Sequence, residues 1–172
     1  MKIMIFLHGT AIMHKSGLGV TREERVKQVI QGADPSLHDY ASYVPVENAV
    51  KKIKGWQEQG AEILYLSSHT TQDVNKDTLV LKKYGFPEGR VFYRASGQRY
   101  RDIAETVLPD VLIEDDCESI GGEKEMTITH VRPEYKKGIT SIVVKEFGGI
   151  DHLPATLAEL KTYTDTKGTQ RV

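Results

Sequence analysis

The chain has 172 residues, of which 39% are hydrophobic and 27% charged, and this is enough for one domain with a buried core. Its formal net charge of −1 gives no overall attraction to nucleic acid or to an anionic membrane surface. Cys117 is the only cysteine, so an internal disulfide and a multi-cysteine zinc site are both excluded. We expect a cytoplasmic protein, because the N-terminal apolar run is too short for a signal peptide or a membrane span.

Five short apolar runs predict buried strands of a parallel sheet. In chain order they cover residues 2–7, 61–66, 90–94, 110–113 and 141–145. Helical spacing of apolar residues separates these runs. Thr21 and Glu24 form a capping-box pattern that opens a helix to about Gln31. Further helices are predicted over residues 45–59, 71–84 and 99–107.

The alternation of strands and helices predicts a three-layer α/β/α fold around a doubly wound parallel sheet. We predict a single domain over residues 1–172. Residues 11–44 are long for a connection and contain their own helix, so we interpret them as a small, cap-like helical insertion after the first strand. The polar residues 165–172 are predicted to be a flexible tail.

Polar side chains follow three of the predicted strands. Ligands of doubly wound sheets bind in a crevice at the carboxyl ends of the strands. The residues at these ends are His8, Gly9 and Thr10, then Ser67 and Ser68, then Glu114, Asp115 and Asp116. The sequence therefore predicts that they share one crevice.

The order of these motifs resembles the haloacid dehalogenase superfamily of phosphohydrolases over roughly residues 2–147. The most specific part is PDVLIEDD at 109–116, which follows YLSS at 65–68. The chain is most similar to the small-capped, nucleotidase-type members. The resemblance implies the three-layer fold predicted above and a phosphoryl site at the strand ends.

The first motif of that family, DxDGT, is only partly matched. Its two aspartates fall on Phe6 and His8, whereas Gly9 and Thr10 agree. Phenylalanine can neither attack phosphorus nor bind magnesium, so we predict a divergent member without aspartyl-phosphate chemistry. His8 could act as an acid or base, since the reference pKa of histidine lies near neutrality. Alternatively, hydrogen bonds from His8 stabilise the loop.

The resemblance also implies a set of ligand-binding residues. Ser67 would hold a phosphoryl group, and Arg101 would supply the basic residue, with Arg99 as a second choice. Asp115 and Asp116 would bind Mg²⁺ weakly, because magnesium sites often use only one or two carboxylates. Alternatively, this acidic pair caps the following turn.

Simpler interpretations exist for the phosphate-binding candidates as well. Ser67 and Ser68 precede a predicted helix, where hydroxyls either bind an anion or cap the helix. Thr10 could contact a ligand or cap a turn. Arg101 could clamp phosphate or pair with a nearby carboxylate.

Three functions remain open from the sequence. The first is binding of a phosphorylated small molecule through Ser67 and Arg101. The second is a magnesium-dependent phosphatase in which water is activated by His8, or by a metal ion on Asp115 and Asp116. The third is a structural or partner-binding domain, which an exposed apolar patch on the insertion would favour.

Overall fold

The computed structural model describes residues 1–32 and 39–164. The strands are β1 (Lys2–Phe6), β2 (Ile12–His14), β3 (Tyr43–Pro45), β4 (Glu62–Leu66), β5 (Arg90–Phe92), β6 (Val111–Asp115) and β7 (Thr140–Val144). The helices are α1 (Arg22–Gln31), α2 (Ala49–Glu58), α3 (Val74–Tyr84), α4 (Tyr100–Val107), α5 (Thr127–His130), α6 (Pro133–Lys136) and α7 (Leu157–Lys161).

Five parallel strands form the central sheet, in the spatial order β5-β4-β1-β6-β7. The chain winds outward from β1 through β4 and β5, then returns to the other side of β1 through β6 and β7. The direction of winding therefore reverses at β1, and the carboxyl end of this strand is where a ligand crevice is expected.

Both faces of the sheet are covered. Ile3 and Ile5 pack on one face with Trp56 of α2 and with residues of α3 and α7. Met4 points to the opposite face and packs with Ile103 of α4 and residues after β6. Burial on both faces explains why β1 is a continuous apolar run rather than an alternating one. The predicted three-layer α/β/α architecture is confirmed.

Two helices begin later than the sequence pattern predicts. The helix predicted over residues 45–59 starts at Ala49, because Tyr43–Pro45 pairs with β2 in an antiparallel two-stranded sheet. The helix predicted over 71–84 starts at Val74. The segment 11–44 thus holds this small sheet as well as the predicted α1, and its residues 33–38 lie outside the described residues, as does the predicted tail 165–172.

The start of α1 follows the predicted capping box. The Thr21 hydroxyl accepts a hydrogen bond from the Glu24 amide, and the Glu24 carboxylate accepts one from the Thr21 amide. Gly32 then ends the helix in the left-handed conformation. Among the described helices, none has the length and apolar content needed to cross a lipid bilayer.

Candidate functional site

A crevice of about 330 Å³ lies at the carboxyl ends of β1, β4 and β6. The strand ends contribute Phe6, His8, Ser68 and Asp115 to its lining. Further lining residues are Arg25 and Tyr43 from the segment 11–44, and Arg94, Tyr100, Cys117 and Glu146 from later loops and helices. The predicted clustering of His8, Ser68 and Asp115 is therefore present.

His8 is held by hydrogen bonds at both ring nitrogens. The amide and hydroxyl of Ser68 lie 3.3 and 2.7 Å from Nδ1, and the carboxylate oxygen Oδ1 of Asp77 lies 3.1 Å from Nε2. Because an amide N–H can only donate, Nδ1 is the acceptor. The ring proton is therefore on Nε2, where it is donated to Asp77.

Asp77 comes from α3, and its side chain is only 1% exposed. Burial opposes its ionisation, but contacts with His69, His8 and Ser67 outweigh this, so the pKa of Asp77 lies below its ordinary value. In His8, by contrast, burial has the larger effect, and it lowers the pKa more than Asp77 raises it. A neutral imidazole beside an ionised carboxylate can accept a proton.

Aromatic rings surround His8. The His69 ring packs against it at a tilt of 46° with ring centroids 4.0 Å apart, and Tyr43 meets it edge-on at 5.3 Å. The His8 side chain is nevertheless 13% exposed and lines the crevice. Both interpretations of His8 therefore have a structural basis, since it is hydrogen-bonded in the loop and also accessible to a ligand.

Ser67 and Ser68 face different surroundings. Ser67 is fully buried, and its hydroxyl donates to Asp77 while accepting from the His69 amide at 2.9 Å. Ser68 instead lines the crevice. Neither serine caps α3, whose N-cap is Asp73. The phosphate-binding role of both serines stays a prediction.

The two aspartates at the end of β6 have different environments. The carboxylate of Asp115 accepts hydrogen bonds from the Thr10 hydroxyl at 2.8 Å and the Cys117 amide at 3.0 Å, and it lines the crevice. Asp116 accepts from the amide of Glu146 at 3.1 Å and pairs with the Lys145 ammonium at 2.9 Å. Only Asp115 is available to a ligand in the crevice.

Asp115 and Asp116, at the end of β6, therefore fit a Mg²⁺ site only in part. Phe6 offers no oxygen ligand, and the carboxylate of Asp116 is neutralised by Lys145. Asp115 fits as a single carboxylate ligand, although its oxygens already accept two hydrogen bonds. Burial also raises the pKa of Asp115, which disfavours its charged form.

Two buried glutamates lie at this edge of the sheet. Glu146, which sequence reasoning missed, lines the crevice and accepts hydrogen bonds from the amide and hydroxyl of Ser119, both at 2.7 Å. Its place directly after the predicted strand 141–145 was the available signal. Glu114 was expected in the crevice but is not among its lining residues, because its carboxylate accepts from the amides of Thr127 and Ile128 at the start of α5. Burial raises the pKa of both glutamates, to about 7 for Glu114.

Among the described residues, Arg94 is one of two arginines that line the crevice. Its guanidinium lies 4.1 Å from the ring centroid of Tyr100, which in turn meets Phe6 edge-to-face at 5.1 Å. Arg94 comes two residues after the end of β5, so its position at the carboxyl edge of the sheet was the signal that could have identified it. Arg25 of α1 lines the opposite part of the crevice.

The two arginines proposed from the sequence, Arg99 and Arg101, do not line the crevice. Arg99 and Arg101 line a neighbouring cavity of about 240 Å³, which shares Arg94 and Tyr100 with the crevice. The Nε of Arg101 also lies 3.5 Å from the Asp102 carboxylate. A phosphate-binding role of Arg101 stays a prediction, and Arg94 is better placed for a ligand beside His8.

Comparisons with known proteins identify the fold. Neither a protein-family model nor a curated protein matches the sequence. A class C acid phosphatase from Bacillus anthracis, solved with tungstate bound, is similar with a TM-score of 0.57 and 12% identity, over 86% of this chain and 68% of that chain. The fold is haloacid dehalogenase-like.

A second solved structure is similar in the same way. A chain of the Pnkp1/Rnl/Hen1 RNA repair complex aligns with a TM-score of 0.54 and 13% identity, over 84% of this chain and 43% of that chain. At these identities the likeness shows the fold alone. Within the haloacid dehalogenase-like fold, Phe6 and His8 stand at the carboxyl end of the central strand β1.

Proposed function

We propose that this protein binds a phosphorylated small molecule in the crevice and does not form an aspartyl-phosphate. The observation that carries the proposal is the pairing of Arg94 with a crevice of about 330 Å³ at the point where the winding reverses. Phe6 stands where the resemblance would put the nucleophile, so covalent transfer has no acceptor group there.

The charges of the crevice support an anionic ligand. Arg94 and Arg25 contribute two guanidinium groups to its lining. Asp115 and Glu146 also line the crevice, and their carboxylate oxygens already accept hydrogen bonds from Thr10, Cys117 and Ser119. Ser68 adds a hydroxyl at the His8 side of the crevice.

The size of the crevice limits the ligand. Its volume of about 330 Å³ lies at the lower end of small-molecule sites, which start at about 300 Å³. A phosphomonoester of the size of a sugar phosphate or a mononucleotide fits this range better than a dinucleotide. The formal net charge of −1 gives no electrostatic reason to expect a nucleic-acid partner. The single cysteine agrees with a cytoplasmic location.

We propose that Mg²⁺ binds only weakly and only together with the phosphorylated ligand. Asp115 would hold the ion, with water and phosphate oxygens supplying the other positions. When bound, Mg²⁺ would neutralise charge on the phosphate. We expect the ion to increase phosphomonoester affinity only modestly, because Asp116 is engaged with Lys145.

Calorimetric titration of a panel of phosphomonoesters, with inorganic phosphate as reference, tests the proposal. We expect saturable binding that Arg94→Ala weakens by about tenfold or more, the loss of roughly one charge-assisted interaction. Arg132→Ala is the matched control, because its guanidinium pairs with Glu105 on the exposed surface. Absence of binding by every member of the panel would contradict the proposal.

Hydrolysis is the second candidate function, and the His8–Asp77 pair favours it. Water would attack phosphorus as the bond to the ester oxygen breaks. The proton of that water would pass through the Ser68 hydroxyl to His8 Nδ1 and then to the leaving alkoxide, and Asp77 would stabilise the imidazolium in between. Burial raises the pKa of the Cys117 thiol, so Cys117 is a poor alternative nucleophile. Turnover of a chromogenic phosphomonoester that is lost in both His8→Ala and Asp77→Asn would support hydrolysis, and turnover unchanged in His8→Ala would exclude this role of His8.

A further inference from the structure

Two histidines and one carboxylate converge beside the crevice. The carboxylate oxygen Oδ1 of Asp77 lies 3.1 Å from His8 Nε2 and 2.9 Å from His69 Nδ1. The three potential ligand atoms all lie within 4.8 Å of one another. They come from three separate parts of the chain: the end of β1, the end of β4 and the first turn of α3.

These separations are close to those of a metal site. Zinc–ligand distances of about 2.0–2.1 Å place two ligands of a tetrahedral ion roughly 3.3 Å apart. The observed distances of 3.1 and 2.9 Å differ from this by a few tenths of an ångström. The third separation, between the two imidazole nitrogens, lies within 4.8 Å.

His69 is the residue that hydrogen bonding leaves unexplained. Its side chain is 92% buried, and its Nδ1 has no hydrogen bond of acceptable geometry among the described residues, although Asp77 Oδ1 is 2.9 Å away. A buried ring nitrogen without a hydrogen bond is costly. A cation bound by His69 Nδ1 would satisfy that nitrogen, and Asp77 Oδ1 would exchange its hydrogen bond from His8 for the ion.

The surrounding hydroxyls resemble an outer shell of a metal site. Ser67 donates to the other carboxylate oxygen of Asp77, and the Ser68 hydroxyl lies 2.7 Å from His8 Nδ1. Metal-binding histidines commonly donate their second ring N–H to such an oxygen. Ion binding at Nε2 would require the other neutral tautomer of His8, in which the single ring proton has moved from Nε2 to Nδ1 and is donated to the Ser68 hydroxyl oxygen. The longer contact from the Ser68 amide, at 3.3 Å, would be given up.

Aromatic rings flank the cluster. Tyr40 packs against His69 with centroids 3.8 Å apart and a tilt of 41°, and Tyr43, which also lines the crevice, packs edge-on against His8. The cluster opens towards the crevice through His8, whose side chain is 13% exposed. This gives an ion an entry route from the crevice.

We propose that His8, His69 and Asp77 bind a divalent transition-metal ion, with Zn²⁺ as the best-suited candidate. Two imidazoles and one carboxylate favour Zn²⁺ and neighbouring transition metals over Mg²⁺ and Ca²⁺, which prefer oxygen ligands. The ion would lie on the His8 side of the crevice, and Asp115 would not be a ligand. This inference goes beyond the proposed phosphate binding and does not rest on it.

The test uses the full chain without a histidine tag, stripped of metal by a chelator and dialysed. Cobalt(II) titration followed by visible absorption, with Zn²⁺ competition, measures stoichiometry and affinity. We expect one ion per chain and cobalt bands typical of mixed nitrogen–oxygen ligation. His69→Gln and Asp77→Asn should each lower the affinity by about tenfold or more.

His152→Gln is the matched control, because it removes an exposed histidine outside the cluster and should leave the affinity unchanged. Circular dichroism and melting without metal show whether each variant folds. If Asp77→Asn does not fold, His69→Gln decides, since His69 Nδ1 contributes no hydrogen bond to the metal-free fold.

Failure of the wild-type chain to bind stoichiometric cobalt or zinc, or unchanged affinity in a folded His69→Gln variant, would overturn the proposal. Phosphomonoester titration of the metal-free chain tests the proposed function separately.

Discussion

Gly9 separates His8 from the acidic end of the crevice and leaves almost no room for a side chain. Its φ is +84°, and a methyl group at this position would lie 2.8 Å from the Asp115 carboxylate. Any other residue would therefore strain the backbone and push Asp115 away from Thr10. The close contact between Gly9 and Asp115 holds the carboxyl end of β1 against that of β6.

We predict that Gly9→Ala destabilises the protein by about 1–3 kcal/mol, combining backbone strain with the steric contact. Gly19→Ala is the matched control, because Gly19 has a similar φ of +77° but open space around it. Urea unfolding measures both. Equal losses of unfolding free energy in the two variants would show that the contact with Asp115 is unimportant.

Glu114 gives a prediction about pH. Burial raises its pKa to about 7, so between the unfolded value near 4.5 and pH 7 the folded chain holds a proton that the unfolded chain has released. This contribution to stability is therefore present at low pH and lost as the pH rises through that window. Glutamine cannot titrate, so Glu114→Gln removes this dependence.

The free energy of unfolding of Glu114→Gln relative to the wild type should rise by roughly 3 kcal/mol between pH 4.5 and pH 8, at 1.36 kcal/mol for each pKa unit. Taking the difference cancels the titration of other groups, including His8. Chemical unfolding across that pH range measures it. A difference independent of pH would mean that Glu114 titrates normally in the folded chain.

At the scale of elements, α1 brings Arg25 into the crevice, and its N-terminus fixes where the helix begins. Arg22, in the first turn, donates to the backbone carbonyl of Glu146 and pairs with Glu118. The capping box at Thr21 therefore stabilises a helix that links the segment 11–44 to the crevice.

Thr21→Ala should lower the free energy of unfolding by about 1 kcal/mol, because the Glu24 amide loses its hydrogen-bond acceptor. Thr21→Ser keeps the hydroxyl and should stay within about 0.5 kcal/mol of the wild type. Thermal or chemical unfolding distinguishes them. A Thr21→Ser loss as large as that of Thr21→Ala would attribute the effect to the methyl group instead.

The sequence predicted strands more reliably than helix starts. Apolar runs such as Lys2–Phe6 are dictated by burial on two faces, which leaves a strong local pattern. The start of α2 was placed too early because Tyr43–Pro45 pairs with Ile12–His14, a contact between distant segments that no local pattern records. Asp77 escaped notice for the same reason, since it lies 69 positions after its partner His8.

At the scale of the whole molecule, the strand order explains why the candidate residues meet. Winding in opposite directions from β1 places the ends of β4 and β6 on either side of it, which brings Ser68 and Asp115 to one crevice. Alternation of strands and helices predicted the layers, and polar residues directly after the apolar runs predicted the strand ends that form the site. The predicted strand 90–94 ended on Arg94, which marked it as a crevice candidate, but the family pattern pointed to Arg101 instead.

The central claim is that a phosphorylated small molecule binds at this crevice. Amide NMR of the isotopically labelled chain during a phosphomonoester titration tests it most directly, since it reports both binding and location. We predict saturable shifts centred on Gly9, Ser68 and Arg94, which Arg94→Ala greatly reduces. Saturable shifts confined to other surfaces, or no shifts with any phosphomonoester tested, would contradict the account.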